Sequence, residues 1–450
     1  MRALILTIFF PVVAFFSCQL GADQHTSEYV LDNGLKLIVK TDNRAPVAVV
    51  QVWYKVGASY EYDGITGVSH ALEHMMFKGT KALGPGKFSE LVAAKGGEEN
   101  AFTSADYTAY FQTWAAENVP LSLEIEADRM RNLLLLEEEF SKEIRVVMEE
   151  RRLRTDDNPR ALLWEASNAT AYQTSPYRQP VIGWAADLQN MTIEDLGVWY
   201  RRWYAPNNAV VVVVGDVKPE QVYAAAKKHF GPLKRQDFAP PKNRPETGQR
   251  GQKSVTLEST KTRVPYIMMS YKAPSLVDTQ GAEAAVPAWE VYALDVLAST
   301  LDGGGSARLP RELVRNQQIA TQVGANYNSG TRLSTLFSIS ASPSPAHTLK
   351  DLESALRKQI TNLQDVAPSE EELSRIKTQV VADTIYERDS MFYQGLIIGS
   401  LESVGLDWRV YEDYVKNIQA VTPEQVQAVA KKYLTDDTLT VAKLIPSPAN

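Results

Sequence analysis

The chain has 450 residues, which at about 100–200 residues per domain predicts about two to four domains. Hydrophobic residues make up 44% of it, which is ample for large cores. The 47 basic and 54 acidic residues leave a net charge of −7 without a Lys/Arg-rich run, so nucleic acid is not an expected partner.

The first residues resemble an export signal. Arg2 precedes a mostly apolar run, residues 3–16, which is short for a bilayer span and typical of the core of a signal peptide. Small residues follow, and cleavage after Ala22 is predicted, so residues 1–22 are assigned as a signal peptide. The mature protein is therefore expected in the periplasm or cell envelope.

Two alternatives remain for this segment. It could stay uncleaved as an anchor helix, or Cys18 could carry a lipid after processing. Cys18 is the only cysteine, so cleavage after Ala22 would leave no thiol and no possible disulfide. No later apolar stretch reaches about 18 residues, so no transmembrane helix is expected in the mature chain.

The sequence repeats itself faintly. Residues 44–55 resemble 263–272, both strand-like, and residues 191–196 resemble 421–426, where Thr422 and Gln425 form a predicted capping box. The offsets of 219 and 230 residues indicate a duplicated unit, although short segments can also match by chance.

The region around Pro232–Gly251 is rich in Pro, Lys, Arg and Gln and predicts a linker. The predicted domains are residues 23–235, which bind the metal, and residues 251–450, an inactive copy, joined by residues 236–250. Strands and helices mix within each half, so the expected class is α+β: two duplicated α/β-sandwich halves with mainly antiparallel sheets covered by helices.

The strongest local pattern is His70-Ala-Leu-Glu73-His74. Residues three and four apart share one helix face, so both imidazoles can reach one ion with Glu73 beside them. Zinc accepts such pairs, and H-x-x-E-H is an inverted zincin pattern. The alternative is a surface helix with two incidental histidines, although the chain has only five.

A third ligand is predicted on a helix over residues 137–154. Phe140, Ile144, Val147 and Arg151 form one stripe along this helix, which is predicted to be its buried face. Glu143 and Glu150 lie at the edge of the stripe, where a carboxylate is costly unless paired or metal-bound, whereas Glu149 points away. Both remain ligand candidates at this stage, and both could instead be ordinary surface acids.

From about Tyr29 onward the chain resembles the pitrilysin family of zinc peptidases, which includes insulin-degrading enzyme and the mitochondrial processing peptidases. The residues that carry the resemblance are the H-x-x-E-H motif, the segment Val146-Val-Met-Glu-Glu150, whose Glu150 follows His74 by 76 residues, Asn100-Ala101-Phe-Thr103, Pro176–Gly183 and Tyr204–Asn208. The resemblance implies Glu150 as the third ligand and Glu143 as a residue supporting the site.

The resemblance also implies a function. Glu73 would be the general base of a zinc endopeptidase holding one zinc per chain, and the two halves would form a clamshell. Asn100, Ala101 and Thr103 would lie on an edge strand that binds extended peptide substrates, so unfolded peptides or short polypeptides are expected. The alternative is a non-catalytic family member that serves as a binding or assembly subunit.

The second half departs from the family pattern. Tyr292 and Val296 stand where His70 and His74 would be, so this copy is not expected to bind metal. After a glycine-rich turn, active members often carry an Arg and a Tyr seven apart. Val314 and Thr321 occupy those places here, with Arg315 one residue off as a possible substrate-binding residue. A partner chain, in a homodimer or a heterodimer with a paralogous chain, could supply the missing groups.

Overall fold

The computed structural model describes residues 25–239, 245–281 and 284–447. The predicted signal peptide, the cleavage point after Ala22 and the possible lipid site at Cys18 lie outside these residues. Within the described part of the chain, no helix has both the length and the apolar character needed to cross a bilayer.

Six strands form the first sheet: β1 (Thr26–Val30), β2 (Lys36–Thr41), β3 (Val47–Tyr54), β4 (Glu98–Thr103), β5 (Thr108–Ala115) and β6 (Ala209–Gly215). Their order is β1-β2-β6-β3-β5-β4; β2 and β6 are parallel and the other neighbours antiparallel. β6 is buried throughout, which explains its unbroken run of five valines, since a strand covered on both faces has no polar side.

Five strands form the second sheet: β7 (Lys253–Ser259), β8 (Tyr266–Ala273), β9 (Ala320–Tyr327), β10 (Thr335–Pro343) and β11 (Leu439–Pro446). Their order, β7-β11-β8-β10-β9, repeats the order β2-β6-β3-β5-β4, including one parallel pair in the same place. The predicted α+β fold of two duplicated halves is therefore confirmed.

The helices of the first half are α1 (Val68–Met75), α2 (Lys87–Ala94), α3 (Val119–Asn132), α4 (Glu137–Arg151), α5 (Pro159–Ala171), α6 (Ala185–Asn190), α7 (Ile193–Trp203) and α8 (Pro219–His229). Those of the second half are α9 (Ala288–Asp302), α10 (Leu349–Asp365), α11 (Glu370–Glu387), α12 (Met391–Ser403), α13 (Val410–Ala420) and α14 (Pro423–Tyr433). Capping boxes begin α7, with Thr192 and Asp195, and α14, with Thr422 and Gln425. The capping box predicted at Thr422 and Gln425 is therefore confirmed.

The halves exchange a helix. α5 of the first half packs on β7 and β11, and α12 of the second half packs on β3 and β6. The resulting shared core joins Trp53 and the outward face of β6 to Ile398 and Trp408. A truncated first half would expose this apolar face to water, so each half is completed by the other.

Gly399 permits the closest part of this packing. A Cβ added there would lie 2.1 Å from Cε2 of Trp53, well inside van der Waals contact. Gly399→Ala is therefore expected to lower the free energy of unfolding by about 1–3 kcal/mol, as overpacking does. Denaturant titration of the full chain measures this change.

Gly197→Ala is the matched control. It also lies in a helix, but the added Cβ would meet only the guanidinium end of Arg201, at 3.0 Å. This variant should be neutral or slightly stabilising, because Ala favours a helix more than Gly does. Equal stability of the two variants would show that α12 does not pack tightly against Trp53.

Candidate metal centre

α1 carries both histidines and begins at a tightly held turn. Gly67 precedes it with a φ of 87°, a conformation that favours glycine. The buried carboxylate of Glu61 accepts hydrogen bonds from the backbone N–H groups of Gly67 at 2.7 Å and Ser69 at 2.8 Å. Burial raises the pKa of Glu61 to about 7. Its carboxyl oxygens satisfy free N–H donors at the helix start and fix the direction of the helix.

α4 supplies the acidic side of the site. Phe140, Val147 and Arg151 are buried and Ile144 packs against the first core, as the predicted buried stripe requires. Glu150 lies at its border with a side chain 16% exposed, whereas Glu149 is 54% exposed and pairs with Arg152. The helix ends at Arg151 and continues as a π-helical segment, Arg152–Asp156, slightly beyond the predicted end.

His70, His74 and Glu150 meet between α1 and α4. Oε2 of Glu150 lies 3.6 Å from Nε2 of His70 and 3.4 Å from Nε2 of His74. Zinc bonds of about 2.0–2.2 Å at tetrahedral angles place ligand atoms about 3.4 Å apart. The two nitrogens and one carboxylate oxygen therefore fit a zinc ion. Among the described residues, this is the one group of three metal-ligating side chains gathered within 4.8 Å.

Residues behind the triad orient His74 through hydrogen bonds and an ion pair. Nδ1 of His74 lies 3.2 Å from Oε2 of Glu143, and Nζ of Lys78 lies 2.6 Å from the other oxygen of Glu143. A ligand histidine commonly donates its second N–H to a carboxylate, which fixes the ring and its tautomer. Lys78 carries no sequence signal for this role, because its pairing with Glu143 depends on the tertiary fold.

His70 is held as a neutral imidazole. Burial, with smaller contributions from His74 and Arg154, lowers its pKa to about 3. Its Nδ1 is buried and has no hydrogen-bond partner among the described residues. A neutral ring offers the lone pair that a metal needs. The exposed Arg154 places Nη1 2.7 Å from Oε1 of Glu150, while Oε2 faces the two histidines.

Glu73 lies beside the ligands without joining them. Its carboxylate accepts a hydrogen bond from Oγ1 of Thr103 at 2.5 Å. Burial raises the pKa of Glu73, although the Thr103 hydroxyl and His74 act in the opposite direction. A carboxylate with a raised pKa next to a metal site suits proton transfer near neutral pH.

The loop before α6 contacts both α1 and α4, the helices that carry the triad. The guanidinium of Arg151, adjacent to Glu150, donates to the backbone oxygen of Gly183 at 2.8 Å. Gly183 in turn packs on the start of α1, where a Cβ would lie 2.4 Å from the oxygen of Thr66. This contact explains the glycine in the segment Pro176–Gly183 that the sequence analysis singled out.

β4 forms a free edge of the first sheet, next to α1. Ala101 packs toward the core beneath α1, whereas Phe102 packs on the opposite face beside Trp53. The N–H of Ala101 donates to the side-chain oxygen of Asn100 at 2.9 Å. This edge therefore offers backbone groups to an added strand close to Glu73.

The remaining predicted groups lie in the second half. Arg315 is exposed at the end of the π-helical segment Pro310–Asn316, and Val314 packs partly against the second core. Tyr292 and Val296 are buried in α9. The structure does not bring Arg315 into contact with His70, His74 or Glu150 within the chain's described hydrogen bonds and ion pairs.

The second half is nevertheless tied to the loops around the site. The Arg332 side chain donates from Nη2 to Oγ of Ser59 at 2.8 Å and stacks over the ring of Tyr60. Its backbone N–H donates to Asp106 at 3.1 Å, three residues beyond Thr103. This partly buried contact holds the turn after β4 against the second half and carries no local sequence signal.

Comparison with known proteins identifies the family of the chain. Residues 36–184 match the family model described as insulinase (peptidase family M16), and residues 190–380 match the one described as peptidase M16 inactive domain. Zinc protease PqqE of Helicobacter pylori is 33% identical over 438 residues, covering 95% of this chain and 96% of that protein.

Solved structures are similar as well. A protease from Helicobacter pylori superposes with a TM-score of 0.87 at 31% identity, covering 94% of this chain and 100% of that one. The periplasmic protease PqqL of Escherichia coli superposes with a TM-score of 0.77 at 18% identity, covering 94% of this chain and 48% of that one. At this identity, the similarity shows a shared fold and nothing more. The predicted family resemblance is thus confirmed: the chain belongs to peptidase family M16.

Proposed function

We propose that this chain is a zinc-dependent endopeptidase that hydrolyses unfolded peptides or short polypeptides. One observation carries the proposal: a zinc-compatible triad of His70, His74 and Glu150 adjoins a partly buried carboxylate, Glu73, beside a free sheet edge. A site with three protein ligands leaves a position open for chemistry, whereas structural zinc sites are closed and usually rich in cysteine.

Each residue has a distinct role in this proposal. Zinc, one per chain, would supply Lewis acidity that activates water and polarises the scissile carbonyl. Glu73 accepts the proton of the attacking water and passes it to the leaving amine. Glu143, which forms an ion pair with Lys78, keeps the ring of His74 in place.

The substrate is proposed to bind as an added strand along β4. Backbone pairing at a sheet edge requires an extended peptide, and it recognises side chains only through neighbouring pockets. Asn100 and Ala101 would meet the substrate backbone, and Asn100 would release the Ala101 N–H as the strand pairs. Folded proteins offer no such free segment, so unfolded chains are the favoured substrates.

A partner chain is part of the proposal. Arg315 is exposed and makes no contact with the triad, and neither Val314 nor Thr321 provides the positive or phenolic group that the family often uses. We therefore propose a homodimer, or a heterodimer with a paralogous chain, in which groups from another subunit face the site. Arg315 would then act across the subunit boundary.

The proposed location is the periplasm or cell envelope. The signal-like residues 1–22 support it. In the alternative form of this proposal, a lipid on Cys18 attaches the chain to the membrane of the cell envelope.

The test uses the purified full chain. We expect about one zinc per chain by elemental analysis, with cleavage of an unstructured peptide lost after chelation and regained after zinc is added back. The same peptide segment inside a stably folded protein should resist cleavage. Sedimentation analysis would report the oligomeric state of the active species. A zinc-loaded chain that binds the peptide without cleaving it would favour the non-catalytic subunit instead.

A further inference from the structure

Thr103 ends β4, the edge strand proposed to pair with the substrate. Side chains alternate along a strand, so Thr103 shares the face of Ala101, which packs into the core beneath α1. Asn100 and Phe102 share the opposite face. The Thr103 side chain is thereby directed from the substrate-binding strand toward the helix that carries the metal ligands.

The contact made by this side chain is specific. Oγ1 of Thr103 donates its hydrogen to Oε2 of Glu73 at 2.5 Å. Among the hydrogen bonds and ion pairs of the described residues, this is the one side-chain interaction of the Glu73 carboxylate. A carboxylate that is largely removed from water is costly without a donor, so the hydroxyl is the group that determines where this partly buried carboxylate lies.

We propose that Thr103 is a positioning residue that holds the general base in register with the substrate backbone. Glu has three rotatable bonds, and a hydrogen bond to one oxygen immobilises the side chain while leaving Oε1 available for the water proton. Because the donor belongs to the strand that pairs with the substrate, Glu73 is located relative to the scissile bond as well as to the metal. The role rests on the proposed peptidase function.

The test compares Thr103→Val, which keeps the shape and removes the donor, with Thr103→Ser, which keeps the donor. In the zinc-loaded full chain, Thr103→Val should lower kcat by about 10- to 100-fold, as misplacement of a catalytic group does. KM should change by less than about twofold, because ground-state binding is retained. Thr103→Ser should stay close to the parental kcat. Thr113→Val, in the neighbouring strand β5, is the matched control and should be unaffected.

A double-mutant cycle separates positioning from a structural role. If Thr103 acts through Glu73, then Thr103→Val should cause no further loss in a Glu73→Gln background. An equal loss of kcat in both backgrounds, or an equal loss in Thr103→Ser and Thr103→Val, would overturn the inference.

A crystal structure of zinc-loaded Thr103→Val gives a readout independent of activity. The Glu73 carboxylate should adopt several positions in this variant and one position in the parent. If Glu73 keeps its parental position without the hydroxyl, the inference fails, whatever the activity of the chain. Absence of peptide cleavage by the parent would count against the proposed function alone.

Discussion

Glu73→Gln is expected to bind zinc as the parental chain does and to cleave peptides about 10²- to 10⁴-fold more slowly. The amide has nearly the same size as the carboxylate and can still accept the hydrogen bond from Thr103. It cannot take a proton from water, so the loss should appear in kcat. Zinc content should remain unchanged, because the triad is formed by His70, His74 and Glu150.

Zinc content and kcat must be measured on the same preparation. Glu149→Gln is a suitable control, since it makes the same chemical change on an exposed face of α4, where the side chain pairs with Arg152. A Glu73→Gln variant that cleaves at the parental rate would remove Glu73 from the mechanism. A variant that loses zinc would instead place Glu73 among the groups that hold the metal.

Glu150→Gln is expected to lose most of its zinc. The carboxylate provides the only negative charge of the proposed ligand set, and an amide oxygen is a much poorer ligand. Changes to residues that merely support metal ligands already cost about 10- to 100-fold in affinity, so replacing the ligand should cost at least that much. Competition with a chelator of known affinity measures the change in Kd.

Two comparisons sharpen this prediction. Glu149→Gln should retain zinc, because its side chain points away from both histidines. Glu143→Gln should weaken zinc binding less than Glu150→Gln, since Glu143 contacts Nδ1 of His74 and Lys78 but lies outside the triad. Loss of zinc in Glu149→Gln with retention in Glu150→Gln would mean that the register assumed for α4 is wrong.

Helical periodicity accounts for what could be predicted about the site. The spacing of His70, Glu73 and His74 places them together within two turns of one helix, whatever surrounds it. The same periodicity separates Glu143 and Glu150 from Glu149, because a buried stripe of side chains defines which face of α4 is covered. Periodicity alone left Glu143 and Glu150 as equal candidates, and only the family resemblance distinguished them before the structure did.

The duplicated architecture was also visible in the sequence, because each half repeats a strand and a capped helix at a similar offset. The exchange of α5 and α12 was not. Both helices have ordinary local patterns, and nothing in either pattern says which sheet will cover it. The exchange means that the two halves complete one another's cores, so a separated first half is a poor sample for testing function.

By itself, the sequence determined those features that depend on neighbours within one or two helical turns: the histidine pair, the buried face of α4 and the caps of α14. Tertiary structure alone decided the contacts between residues far apart in the chain. Thr103 reaches Glu73, Lys78 reaches Glu143, and Arg332 reaches Asp106 only after the sheet and helices have assembled. The physical reason is that a hydrogen bond or ion pair between distant segments imposes no periodic pattern on the sequence of either segment. The sequence of one segment therefore does not reveal which other segment it contacts.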